Sequence, residues 1–328
     1  MKKHRLIAVI SAMVMALAVA GCSNPSSGNE STSGSSGESG NSSGAGNSGV
    51  SIPKDFVKVK GTTITGNESW TPSSSVFVSG RSITIPDMYV CDHEVTRGEF
   101  KEVMGTDPST AWAYDKDGNK LTGDAVLNNP VNYVSWYDAI AYCNKLSLKE
   151  NLTPCYSVSG VTDWKNLEYS SIPTERDTNW DALTYNKEAN GYRLPTEAEW
   201  EWLARGGENY TYAGSNNEGD VAWYATNTDR KGTRDVKTKQ ANGYGLYDMS
   251  GNVLEWCYDW SGTVSSSTAD TGAFSGSGRV QRGGSWYFYN DSCQVSERCS
   301  NEPNDRNIPI FREDYNGFGF RVVRSSSN

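Results

Sequence analysis

Apolar and polar positions divide the chain into three unlike stretches. After a cationic head, Met1-Lys2-Lys3-His4-Arg5, residues 6–20 form a nearly unbroken apolar run. That run is too short to span a bilayer comfortably as a permanent helix. Head and run together have the pattern of a secretory signal peptide. Residues 23–50 are almost entirely Ser, Gly, Asn and Glu, with nothing apolar large enough to anchor a core. Such a stretch is a flexible tether, and its length lifts the rest of the chain by tens of ångströms. Residues 51–328 then carry the periodicities of one large domain.

Three helices are predicted within it. Residues 94–104 place Val95, Phe100, Val103 and Met104 on one side, with Gly105 as the stop. Residues 135–148 open on Ser135 followed by Asp138, a relative of the Ser-x-x-Glu capping box, and set Trp136, Ile140, Cys143 and Leu146 near helical spacing. The third begins at the capping box Thr196-Glu197-Ala198-Glu199 and runs through Trp200 and Leu203 to Gly206. Residues 76–78, 82–85, 88–91, 279–282 and 319–323 read as short strands. Everything else is loop-like, and loops this long in a compact domain tend to be functional. Eleven tryptophans and eighteen tyrosines suggest what stabilises them. Flat side chains with polar tips pack beneath loops while hydrogen-bonding to them.

Charge and cysteines narrow the picture. The chain holds 30 basic against 39 acidic residues, and cleavage after the signal would remove only basic ones. An acidic surface argues against nucleic acid as a partner. The signal ends in Val19-Ala20-Gly21-Cys22, which resembles a lipobox, so Cys22 is the expected lipidation site. Lipid is then the membrane attachment. The other cysteines are Cys91, Cys143, Cys155, Cys257, Cys293 and Cys299. An even number permits disulfides outside the cytoplasm, but their spacing selects no pairing and contains no CxxC zinc pattern. The domain has one histidine, His93, which removes most His-based triads and His-rich zinc sites.

Several ordered segments then carry a resemblance. They are His93-Glu94-Val95-Thr96, the run from Tyr192 to Glu201, the run from Asn242 to Trp256, Arg282-Gly283-Gly284-Ser285-Trp286, and Gly319-Phe320-Arg321. Together they resemble the formylglycine-generating-enzyme (sulfatase-modifying-factor) family. The resemblance implies an α/β (α+β) C-type lectin fold with a small twisted antiparallel sheet, few helices and long irregular loops. Gly243, Gly245 and Gly251 are expected to allow tight turns and positive φ. In this family the Gly-Asn-x-x-Glu-Trp segment can contribute to a calcium site. Asn252 and Glu255 are the matching ligands, unless both simply bond the turn backbone.

Catalytic members hold copper(I) between two cysteine thiolates that follow the Gly-Gly-Ser-aromatic segment, five positions apart. Here those positions fall on Phe288 and Cys293, and phenylalanine cannot bind a metal. The expectation is therefore a non-catalytic member with no required cofactor, a structural Ca²⁺ aside. The competing reading is a formylglycine-generating-type enzyme with a rearranged site.

The segment 287–317 has the chemistry of a binding surface. It presents Tyr287, Phe288, Tyr289, Asn290, Asn301, Asn304, Asp305, Asn307, Ile308, Ile310, Phe311, Arg312, Asp314 and Tyr315. Rigid aromatics mixed with adaptable amides are typical of antibody-like paratopes. A narrower resemblance is to the variable lipoproteins of Treponema, whose lectin-type domains are diversified by retroelements at adenines of asparagine codons. Every residue just named is reachable from an Asn codon by changing its first two bases. Trp286, Gln294, Glu297, Glu302 and Glu313 are not, and would be fixed scaffold. A lipobox alone does not separate periplasm-facing from surface-facing display, but the long spacer and the ligand-type surface favour the outside of the outer membrane; the expectation is a monomer that binds a protein or other molecule of a host or bacterial surface.

Overall fold

The computed structural model describes residues 53–68, 76–307 and 316–326, so Cys22, the tether and residues 308–315 lie outside the described residues. Capping starts all three helices, at Ser135 and Thr196 where the sequence marks them and at Thr96 within the first. Thr96, Ser135 and Thr196 each accept the backbone N–H of the third helical residue, whose own carboxylate accepts from the cap. These caps open α1 (Arg97–Met104), α2 (Trp136–Lys149) and, after a one-turn helix α3 (Thr178–Asp181), α4 (Glu197–Arg205). Gly105 and Gly206 stop α1 and α4 at φ 79° and 61°. Helix α1 starts later than residue 94 because Val95 belongs to a ladder instead. Its N–H donates to Phe320 O at 2.9 Å, and its carbonyl accepts from Val131 at 2.9 Å.

Two four-stranded sheets organise the domain. In the first, β1 (Phe56–Val59), β4 (Met88–Cys91), β14 (Val323–Ser325) and β8 (Tyr192–Arg193) pair antiparallel in that order. Strand β4 thus sits between the first and last strands. In the second the order is β12 (Cys299–Asn301), β11 (Arg279–Arg282), β10 (Leu254–Trp260) and β13 (Phe318–Gly319). Its β10–β13 pair is parallel, which departs from the expected single antiparallel sheet. Strands β2 (Thr62–Ile64) and β3 (Ile83–Ile85) pair antiparallel. Short strands β5 (Ala113–Tyr114) with β9 (Thr233–Arg234), and β6 (Tyr156–Ser157) with β7 (Thr184–Tyr185), clamp loops together.

Two expected strands differ. Residues 76–78 form a bend, because Arg81 captures its carbonyls: Arg81 Nη1 donates to Val76 O at 2.9 Å and its N–H to Val78 O at 3.0 Å. Residues 319–323 split into the end of β13 and the start of β14, since the chain there crosses from one sheet to the other. Phe320 O and Val322 O serve Val95 and Cys91 on the way.

The aromatics behave as the composition suggests. Trp136, Trp200 and Trp256 are fully buried, yet each indole N–H has a partner: Cys257 O at 3.0 Å, the Glu255 carboxylate at 2.7 Å and Val134 O at 2.9 Å respectively. One core gathers Phe100, Trp136, Tyr142, Trp256 and Phe320 around α2. A second gathers Met88, Val90, Trp200, Leu203 and Val280 around α4. Gly243 is required for close approach, since a Cβ would lie 2.3 Å from Gly206 O; only Gly245 and Gly251 of its series have positive φ.

One buried carboxyl at the start of α4 makes stability pH-dependent. Asp259 accepts the Glu197 N–H at 2.8 Å, but burial, and then the charge of Glu197, push its pKa up to about 8. The folded chain therefore holds a proton there that the unfolded chain releases above about pH 4. Between those values the folded state binds more protons, so this group's contribution falls as pH rises. Asp259→Asn keeps the acceptor and removes the charge. The variant is expected to be more stable than the parent by about 5 kcal/mol at pH 8, converging with it near pH 4, in urea melts across that range. Equal gains at both pH values would refute the assignment.

Candidate ligand-binding site

The geometry begins where β11 ends. Gly283 and Gly284 both take positive φ, 90° and 71°, and a Cβ on Gly284 would lie 2.7 Å from Cys293 Sγ. No L side chain fits that reversal. It delivers Trp286 into the interior, its N–H donating to Asn252 O at 2.9 Å and its carbonyl accepting from Thr228 Oγ1 at 2.6 Å. The chain then surfaces. Tyr287 and Phe288 are half-buried and Tyr289 is 58% exposed.

Residues from elsewhere complete the surface. The Arg230 guanidinium lies 4.5 Å from the Tyr289 ring centroid and 5.2 Å from that of Tyr287, and donates to Tyr287 O at 3.1 Å. Nearby, Trp112 is 58% exposed, with Lys120 Nζ 3.6 Å from its ring centroid. The Trp112 carbonyl is held by Thr233 N at 3.0 Å, which fixes its loop to β9. A cleft of about 350 Å³ is lined by Thr110, Trp112, Arg230, Lys231, Trp286 and Asn316. Aromatic faces beside cations and amides can stack on flat groups and bind anionic or carbonyl-bearing ones. Trp112, Arg230 and Lys231 were not among the expected binding residues. They come from loops remote in sequence: the β5–β9 pairing brings the Trp112 and Arg230 loops together, and the bonds of Thr228 and Arg230 to the Trp286 and Tyr287 carbonyls join them to the segment.

The remaining expected residues are distributed differently. Asn290 donates to Glu218 at 3.3 Å, Asn301 of β12 to Gln281 of β11 at 2.6 Å, and Asn304 to Thr174 O at 3.3 Å. The Asp305 carboxylate accepts from Glu302 N at 3.1 Å, and Asn307 is half-buried. Thus Asn301 and Asp305 are tied into the fold and do not join the Tyr289 surface through these bonds. Ile308, Ile310, Phe311, Arg312, Asp314 and Tyr315 lie outside the described residues.

The segment is fastened by arginines. Arg306 forks onto the buried Asp138 at 2.8 Å through both Nε and Nη2, while Pro303 O accepts from the first N–H of α2 at 3.0 Å. Arg282 Nη2 donates to the Glu201 carboxylate at 2.6 Å and to Val295 O at 2.9 Å, and its Nη1 reaches Ser296 O and Glu297 O. Arg298 forks onto Glu197.

The two expected metal positions can be tested on their atoms. Phe288 offers no ligand atom and lines a small cavity with Gln281, Gly284 and Cys299. Cys293 is buried among Tyr212, Val221 and Tyr224, and burial pushes its thiol up to about 12. All six cysteines of the domain are free. Asn252 and Glu255 do not fit a calcium cage. The Glu255 carboxylate is taken by Arg321 at 2.6 and 2.7 Å and by Trp200. Asn252 Oδ1 accepts from Arg234 N at 3.0 Å, and its amide donates to Glu94 at 2.8 Å. Their work is internal but differs from the expected bonding of their own turn: Asn252, at φ 58°, bonds the backbone of Arg234 in β9 and the Glu94 carboxylate, which itself holds the turn at Val253 N.

Comparison with known proteins agrees with this architecture. Residues 50–326 match the Sulfatase-modifying factor enzyme 1-like domain. The Chaperone protein LppX of Paenibacillus barcinonensis is 38% identical over 240 residues, 66% of this chain and 76% of its own length. The formylglycine-generating enzyme of Thermomonospora curvata is 37% identical over 219 residues, 58% of this chain and 67% of its own. Among solved structures, Treponema denticola variable protein 1 superposes with a TM-score of 0.69 at 35% identity, covering 82% of this chain and 94% of that one. CarF shares the fold at a TM-score of 0.59 and 23% identity. Among the described residues no helix is long and apolar enough to cross a membrane. With the family's motifs on the β4–α1, α4 and β10 elements and its fold around them, the chain belongs to the sulfatase-modifying factor enzyme 1-like family, in its C-type lectin form.

Proposed function

We propose that the chain is a surface-displayed, non-catalytic ligand-binding lipoprotein. Lipid on Cys22 holds it to the outer membrane, residues 23–50 space it outward, and segment 287–317 with its loop neighbours meets the ligand. The observation that carries this reading is the half-open surface of Trp112, Arg230, Tyr287 and Tyr289 around a cleft. Aromatic and arginine side chains there are the residue types that dominate binding hot spots. The arginine clamps support the diversified character proposed for the segment. They grip carbonyl oxygens and fixed carboxylates, so intervening side chains can change without loosening the backbone. The ligand is a protein or other surface molecule of a host or bacterium, and the acidic balance disfavours nucleic acid.

Phe288 and the deeply buried Cys293 support the absence of formylglycine-generating activity. One experiment addresses both halves. Labelled mature protein is applied to intact host and bacterial cells, and the same preparation, loaded with Cu(I), is offered a Cys-Thr-Pro-Ser-Arg peptide. Saturable cell binding is expected, weakened at least about ten-fold by Tyr289→Ala combined with Trp112→Ala. The peptide is expected to remain unoxidised. Turnover of the peptide, or binding indifferent to the two substitutions, would overturn the proposal.

A further inference from the structure

We propose that Cys91, His93 and Glu99 form a binding site for a zinc-type divalent cation, separate from the ligand surface and from the family's copper position. Cys91 closes β4, His93 follows in the β4–α1 connection, and Glu99 lies in the first turn of α1. One sulfur, one imidazole nitrogen and one carboxylate oxygen from these residues all lie within 4.8 Å of one another. Ligands bound to one zinc at about 2.0–2.3 Å need a separation of that order, after small side-chain adjustments. A thiolate, an imidazole and a carboxylate are the donors zinc takes in proteins.

The surroundings are built for such a role. His93 Nδ1 faces Asp92 Oδ1 at 2.6 Å, which leaves Nε2 turned toward Glu99 Oε1 at 3.3 Å. A carboxylate on the non-ligating nitrogen is how metal-binding histidines are usually oriented. Asp92 is itself held by Lys237 Nζ at 2.7 Å. Glu99 commits Oε2 to the Thr96 N–H and hydroxyl at 2.7 and 2.8 Å, so its Oε1 alone faces the centre. Cys91 and Glu99 also line a cavity of about 350 Å³ with Glu102, Tyr142, Lys149 and Tyr192. That space admits a water as fourth ligand. A structural ion triad would account for Asp92, His93 and Glu99, with Cys91 Sγ 3.8 Å from the same Nδ1 that faces Asp92, but not for the cavity that Cys91 and Glu99 share.

Cobalt(II) is the probe. The full mature chain, extracted in detergent and stripped with chelator, is titrated with Co²⁺ alone. One equivalent is expected to give a near-ultraviolet thiolate-to-metal band and strong visible bands of a four-coordinate ion, both erased by Zn²⁺. Cys91→Ser should remove the near-ultraviolet band, whereas Cys293→Ser and Cys299→Ser should keep it. His93→Gln and Glu99→Gln should weaken binding at least about ten-fold, and Asp92→Asn by about 10–100-fold. Glutamine at position 99 preserves the capping box, so its effect is not a failure of α1. The parent spectrum needs no variant to fold. Its absence, or a band that survives Cys91→Ser, would mean a structural triad or adventitious metal and would overturn the site.

Discussion

Glu255→Gln is expected to destabilise the domain by about 3–5 kcal/mol, the usual cost of leaving one partner of a buried ion pair alone. The Glu255 carboxylate is fully buried and receives Arg321 through Nε and Nη2 and the indole N–H of Trp200. Glutamine preserves volume but supplies one acceptor oxygen and no charge. Arg321, itself fully buried, would face an uncharged amide, its other contacts being the carbonyls of Cys91 and Tyr247. Urea melts would show a large fall in midpoint, with calcium and chelator making no difference to the parent. A midpoint that rises with calcium would instead restore the cation-binding role for Asn252 and Glu255.

The second large effect concerns Arg282. Its guanidinium joins α4 to segment 295–297 by serving the Glu201 carboxylate and the carbonyls of Val295, Ser296 and Glu297. Glu201 is shared with Arg205, so three buried groups depend on one arrangement. Lysine keeps the charge but lacks the planar fork that reaches these acceptors together. Arg282→Lys is therefore expected to cost about 3 kcal/mol or more. Hydrogen exchange at residues 295–297 should accelerate before that of β10 and β11 does. Uniform protection across all three would show that the segment is held by something other than this clamp.

The caps at Ser135 and Thr196 and the glycine stops at Gly105 and Gly206 were legible because each depends on neighbours within a few positions. Ser135 with Asp138 formed a full capping box although aspartate is the weaker partner. Strand 319–323 was not legible as two pieces, since its break depends on carbonyls needed by Val95 and Cys91, more than two hundred positions away. The same limit applies to the site. Tyr287 and Tyr289 stand out in a segment rich in aromatics and amides. Trp112 and Arg230 carry no local signal that distinguishes them from other loop residues. His93 appeared merely as a reason to exclude imidazole chemistry, and its value lies in where Cys91, Asp92 and Glu99 fall around it.

By itself the sequence determined the family, the capped helices, the absence of a second thiol at Phe288 and the mixture of residues offered by segment 287–317. These depend on composition and short-range spacing, which survive without knowledge of the fold. The tertiary structure alone decided which side chains face one another. It assigned Asn252 and Glu255 to internal bonds and gathered Trp112 and Arg230 beside Tyr289. It also set a thiol, an imidazole and a carboxylate around one centre. Burial and ion pairing depend on what long-range strand pairing brings close, and no local pattern encodes that distance.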